Sequence, residues 1–141
     1  MDGKRIPLTP ATSGNFNGDV AGTAKAGASV SIWGPAGGVV NGTLAALVIV
    51  DAETNTLTMA ANWQVSEDGS TWYDVAGAAN NPANVVLATG TAGSDASVTK
   101  VLNAPASVYA WSFARLVVVN GVATGATADT YSIQYKYVRG A

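Results

Sequence analysis

From Thr56 to Ser66 the chain alternates, with Leu57, Met59, Ala61, Trp63 and Val65 in one set and Thr56, Thr58, Ala60, Asn62, Gln64 and Ser66 in the other. A period of two turns one set toward a core and the other toward solvent, which predicts a β-strand. Glu67-Asp68-Gly69-Ser70 follows, and its Asp-Gly pair suits the positive φ of a tight hairpin, so Thr71 to Val75 is expected to return as the second strand. Trp63 and Trp72 then belong to one hairpin. Alternation also runs from Val108 to Val119, with Tyr109, Trp111, Phe113, Arg115, Val117 and Val119 on one face and Val108, Ala110, Ser112, Ala114, Leu116 and Val118 on the other. Both faces look covered, as in a central strand. Asn120-Gly121 predicts a hairpin turn at its end, and after a loop containing Gly125 a last strand carries Tyr131, Ile133, Tyr135 and Tyr137 on one face.

Shorter signals complete the pattern. Leu44 to Asp51 is a compact run rich in β-branched residues and reads as a buried strand, and Val85 to Ala88 and Ser97 to Leu102 read as two more. Before residue 43 the chain is rich in Gly, Ala, Ser and Thr; only Ala28 to Trp33, where Val30 and Ile32 alternate with Ser29 and Ser31, predicts a strand, ended by Gly34-Pro35. No window repeats apolar residues at i, i+3, i+4 and i+7, which limits helix to a turn or two near Ala76 to Asn80. The expected fold is all-β: an antiparallel β-sandwich or jelly roll of about seven to eight strands. Residues 1–42 are expected to form an extended N-terminal arm with one short strand, and residues 43–141 the body.

Composition narrows the chemistry. Of 141 residues, 48% are hydrophobic and 11% charged, far from the composition of chains that fail to collapse. The chain contains neither His nor Cys, so it lacks the usual general base near neutral pH, any thiol nucleophile, any disulfide and the two best zinc ligands. The formal charge is −2 without a cluster of Lys or Arg, which offers no footprint for a phosphate backbone, and nucleic acid is not an expected partner. Lys4 and Arg5 are followed by Pro7, Thr9 and Pro10, where a signal peptide would need an apolar stretch. The longest apolar run, Leu44 to Val50, is far short of the ~20 residues that span a bilayer, so a membrane is not expected either.

Carboxylates are the remaining acid-base groups. Asp51 with Glu53, Glu67 with Asp68 and Asp74, and Asp95 or Asp129 are candidates for a glycosidase pair or a calcium site. Each stands at a predicted turn or strand end, where an Asp bonds the backbone two residues on, and the spacing fits no ligand loop; no catalytic residue, metal or cofactor is expected. Gly37-Gly38 lacks the Lys-Ser or Lys-Thr of a phosphate loop. Trp33, Trp63, Trp72, Trp111, Tyr131, Tyr135 and Tyr137 are candidates for stacking on sugar rings, but most lie on regular strand faces, where core packing accounts for them. Trp33 and Tyr73 fall outside that pattern.

The segment Trp63-Gln64-Val65-Ser66-Glu67-Asp68-Gly69-Ser70-Thr71-Trp72-Tyr73-Asp74-Val75 resembles a hairpin of small virion proteins of tailed bacteriophages, among them capsid decoration (cement) proteins and head fibres. Tyr109 to Val119, Asn120-Gly121 and Thr130 to Tyr137 are similar to the end of such proteins. The resemblance implies a β-sandwich or jelly-roll body, trimeric in many members, that sits on the outer capsid and clamps neighbouring major capsid subunits. On that basis the chain is expected to be a non-enzymatic decoration protein of the mature capsid, made in the host cytoplasm, with the major capsid protein and further copies of itself as partners. A Gly-rich arm becomes ordered by lying on a partner, and its apolar residues Ile6, Leu8, Phe16, Val30, Ile32 and Trp33 are the expected contacts, with Trp33 as anchor. The alternative is a carbohydrate- or receptor-binding β module of a fibre or tail component, which predicts a flat exposed row built from Trp33, Tyr73 and a tyrosine of the last strand.

Overall fold

The computed structural model describes residues 5–6, 11–16, 23–32, 42–52, 58–75, 88–89, 96–120 and 130–139. Eleven strands run through them: β1 (Arg5–Ile6), β2 (Thr12–Asn15), β3 (Ala24–Ala26), β4 (Val30–Ser31), β5 (Gly42–Ala52), β6 (Thr58–Ser66), β7 (Tyr73–Asp74), β8 (Ala88–Thr89), β9 (Ala96–Asn103), β10 (Phe113–Asn120) and β11 (Thr130–Arg139). They form two antiparallel sheets. In the first, β11 lies between an edge made by β1 and β2 and the central β5, whose far side pairs with β9. In the second, β10 lies between an edge made by β3 and β4 and the central β6, whose far side carries β7 and β8.

Because three edges are each built from two short strands, the eleven strands fill eight positions. In chain order the first position pairs with the last, the second with the seventh, the third with the sixth and the fourth with the fifth. That is one long antiparallel ribbon rolled up so that successive pairs fall in alternate sheets, the jelly-roll form of the expected β-sandwich. The ribbon's tip is the β6–β7 hairpin.

Alternation decides what the roll buries. Leu44, Ala46 and Val48 of β5 and Tyr131, Ile133 and Tyr135 of β11 face Ala61, Trp63 and Val65 of β6 and Ala114, Leu116 and Val118 of β10, all buried in one core. Trp63 fills the centre, with its ring 6.1 Å from that of Tyr135.

Three sequence expectations need correction. The stretch before residue 43 is more than an arm, because β1 to β4 supply one edge of each sheet and Phe16 and Ile32 are buried in the core. These edge pieces are two to four residues long, too short for an alternating pattern to register. The strand expected from Val108 begins only at Phe113, and residues Ala106–Ala110 form a 3₁₀ turn in which Val108 is buried. Finally, β10 and β11 do not pair as a hairpin across Asn120-Gly121, since they are central strands of different sheets. The helical turn expected near Ala76 to Asn80 lies outside the described residues.

The break between β3 and β4 carries a lock between the sheets. The Gly27 amide donates to the Leu116 carbonyl at 2.8 Å, so Leu116 turns its peptide groups toward this edge. No strand carbonyl stands opposite the Leu116 amide at the break; Tyr135 Oη, from the other sheet, accepts that hydrogen bond at 2.8 Å. A Cβ on Gly27 would overlap Tyr135 Oη and meet Ile133 Cγ2 at 3.0 Å, so only glycine fits at this crossing.

Burial pushes the Tyr135 hydroxyl up to about 12 from its ordinary 10.0. An acid whose folded-state pKa is raised stabilises the fold in its neutral form, so stability is expected to fall as pH rises from about 10 through about 12. Tyr135→Phe should remove this alkaline component and, by stranding the Leu116 amide, cost about 1–3 kcal/mol at neutral pH. Gly27→Ala should cost a similar ~1–3 kcal/mol through overpacking. Denaturant titrations at neutral and alkaline pH check all three.

Candidate interaction surfaces

The residues expected to touch a partner divide sharply. Phe16 is fully buried, with its ring 5.3 Å from Tyr131, and Ile32 is buried in the same core, so neither is available for docking. Val30 is half-buried against the core. Ile6 pairs through its backbone with Tyr137 in β1, and its side chain, together with Leu8 and Trp33, lies outside the described residues. An isolated apolar residue among glycines shows that something must cover it, not whether the cover is the chain itself or a partner.

The hairpin tip is rigid by construction. Gly69 takes φ 76°, the left-handed conformation that the Asp-Gly pair predicted, and packs on the Phe113 ring. The Asp68 carboxylate accepts from the Ser70 and Thr71 amides at 2.7 Å, from Ser66 Oγ at 3.0 Å and from Thr71 Oγ1 at 3.1 Å. Hydrogen bonds from Thr71, then Ser70 and Ser66, hold it well below the usual carboxylate range. Glu67 Oε1 accepts from Ser112 Oγ at 2.8 Å, tying the tip to the segment that leads into β10. Beside the tip stand Tyr73, 52% exposed, and half-buried Trp111, with ring centroids 5.8 Å apart.

The outer face of the second sheet carries a polar network. Asp74 Oδ1 accepts from Asn62 Nδ2 at 2.8 Å and Gln64 Nε2 at 2.9 Å, Gln64 Oε1 accepts from Arg115 Nε at 2.9 Å, and the Arg115 guanidinium lies 4.2 Å over the Trp72 ring. Trp72 is therefore occupied by a cation rather than offered as a stacking platform.

The outer face of the first sheet is different. The register sets out three rows across β11, β5 and β9: Lys136, Ala45 and Asn103; Gln134, Leu47 and Val101; Ser132, Ile49 and Thr99. Val101 is 66% and Ile49 38% exposed, so the middle of this face is apolar and its surroundings are polar, with Lys136 at one corner. An apolar centre within a polar rim is the anatomy of a contact surface. Sequence reading did not single out these residues, although the inward parity of Leu44, Ala46 and Val48 fixes Leu47 and Ile49 as outward.

Among the carboxylate candidates, Asp68 is committed to the turn and Asp74 to side-chain amides; the side chain of Asp51, and Glu53, Asp95 and Asp129 altogether, lie outside the described residues. Tyr131 and Tyr135 point into the core, so neither joins Tyr73 in an exposed aromatic row.

No protein-family model matches the chain, and no curated protein matches it in sequence. Among solved structures, a chain in the structure of infectious bursal disease virus Gx strain superposes with a TM-score of 0.53 over 98% of this chain at 13% identity. This chain spans 34% of the length of that one, and the likeness is one of fold.

The tip's order should depend on the Asp68 charge. A depressed folded-state pKa contributes stability that is complete above the ordinary value of 3.8 and is lost as pH falls through the lower folded value. Amide exchange measured by NMR should show Ser70 and Thr71 protected at neutral pH, less protected in strong acid, and unprotected at any pH in Asp68→Ala. Unchanged protection in that variant would refute the assignment.

Proposed function

We propose that this chain is a structural protein of a virus particle, and specifically a bacteriophage capsid decoration protein that binds the outer surface of the mature capsid and bridges neighbouring major capsid subunits. The observation that carries the virion reading is the eight-position rolled ribbon, whose fold is shared over 98% of this chain with a chain of a virus structure. The narrower assignment to decoration is supported by the resemblance of the Trp63–Val75 hairpin and of the final strands to small virion proteins of tailed phages.

The mechanism is contact rather than chemistry. Asp68 and Asp74 are engaged in hydrogen bonds that hold a turn and a sheet face, which supports a role in binding. A copy that buried on the order of 1,000 Å² on a lattice of subunits would make a standard specific contact, and many copies per particle would add their effects. Self-association, expected as a trimer, would let one copy's contacts hold its neighbours in place. The protein would be made in the host cytoplasm and end on the virion exterior.

Particles of the virus that encodes the chain, prepared without it in their expanded state, provide the test. Purified protein should co-sediment with them to a fixed stoichiometry per capsomer and raise their survival under heat or osmotic shock. Absence of co-sedimentation sinks the proposal, and selective binding on a glycan array would favour a receptor-binding module in its place.

A further inference from the structure

Among the described residues the large hydrophobic side chains left exposed are Ile49, Tyr73 and Val101. They lie in two places on the molecule. Ile49 and Val101, with Leu47, centre the outer face of the first sheet, whereas Tyr73, with Trp111, stands at the tip of the β6–β7 hairpin in the second.

Among the described side chains, the charges that border the two places differ in sign. Every carboxylate whose side chain is described belongs to the hairpin, namely Glu67 and Asp68 at its tip and Asp74 on β7, whereas the first sheet contributes the exposed lysines Lys100 and Lys136. Lys136 borders the apolar strip on its outer face. Lys100 sits opposite the buried Val48 on the inward side of the edge strand β9, a charge placed where it discourages edge-to-edge pairing. Contact with another protein through this sheet is thereby directed to its face.

We propose that copies of this chain join head to tail, the hairpin tip of one copy (Tyr73 and Trp111, flanked by Glu67 and Asp68) resting on the strip of Leu47, Ile49 and Val101 beside Lys136 of the next. This deepens the self-association in the reading above and rests on it. One such contact covers both apolar sites and brings opposite charges together. A two-fold contact covers only one of the two sites: strip against strip leaves Tyr73 and Trp111 uncovered, and tip against tip leaves the strip uncovered and crowds the carboxylates of both copies together. The tip is also suited to act as the inserting element, because the Asp68 and Glu67 hydrogen bonds fix its shape before contact and leave less freedom to lose. A head-to-tail contact closes into a ring when its rotation permits, and the sedimented mass counts the copies.

The test uses the full chain in two forms. One carries Val101→Lys with Lys136→Glu and so lacks the strip; the other carries Tyr73→Ala with Glu67→Lys and lacks the tip. These positions lie outside the core, and thermal melts establish that both forms fold; Val101→Ser and Tyr73→Ser replace either one that does not. Analytical ultracentrifugation should find the unaltered protein as an oligomer weakened by salt, each form alone as a monomer, and an equal mixture of the two as a dimer, since one intact tip meets one intact strip. An unaltered protein that is monomeric, either form keeping its self-association, or a mixture that stays monomeric would each overturn the proposal. Co-sedimentation of the unaltered protein with capsids is scored separately, so capsid binding by a monomer would end this inference and leave the decoration role standing.

Discussion

The two sheets are held in register by a peptide group that its own sheet leaves without a partner. Where β3 gives way to β4, the Leu116 amide has no strand carbonyl to reach, and in a dry core an unpaired amide costs about 1–3 kcal/mol. Tyr135 meets that need from the opposite sheet, and Gly27 makes room for its hydroxyl. The same device recurs past the end of β9, where Ala104 donates to the Leu44 carbonyl and Tyr109 Oη accepts from the Leu44 amide at 2.6 Å. Edge strands in a rolled ribbon must break to turn corners. Tyr135 closes the first break from across the core, and Tyr109, half-buried in the 3₁₀ turn, closes the second with the same polar end.

That arrangement governs what a sequence can disclose. The β6 alternation, the Asp68-Gly69 turn and the Tyr131, Ile133, Tyr135 face were legible because a strand buried on one face must alternate and a turn with positive φ admits few residues. The edges were not. Gly14, Lys25 and Ser31 sit in strands whose pairing is supplied by neighbours more than eighty residues away in the chain, and nothing local records it. Val108, Tyr109 and Trp111 imitated a strand because the 3₁₀ turn packs Val108 into the core and leaves the other two half-buried, much as a pleat would. Asn120-Gly121 read as a hairpin turn, but a dipeptide cannot state which sheet the chain enters next.

The candidate surfaces were legible to a lesser degree for a related reason. Inward parity is enforced by the core, whereas outward parity is constrained only by solvent or by a partner, so Leu47 and Ile49 looked like further core residues within an apolar run. Phe16 and Ile32 misled in the opposite sense. Set in a stretch rich in Gly, Ala, Ser and Thr, they read as contacts for another protein, yet the roll brings the rest of the core to them.

The two outer faces differ in what burial would return. On the second sheet Asp74 is held by Asn62 and Gln64, and Arg115 by Gln64, with Arg115 resting on Trp72. Covering that network would strip water from a carboxylate and a guanidinium without offering either a better bond, a poor exchange for a contact surface. On the first sheet Ile49 and Val101 are exposed and Leu47 is half-buried, and each Å² removed from water contributes roughly 25 cal/mol. A fold that seals one face with its own hydrogen bonds and leaves the other apolar has assigned its faces, and attachment follows the one that gains by being covered.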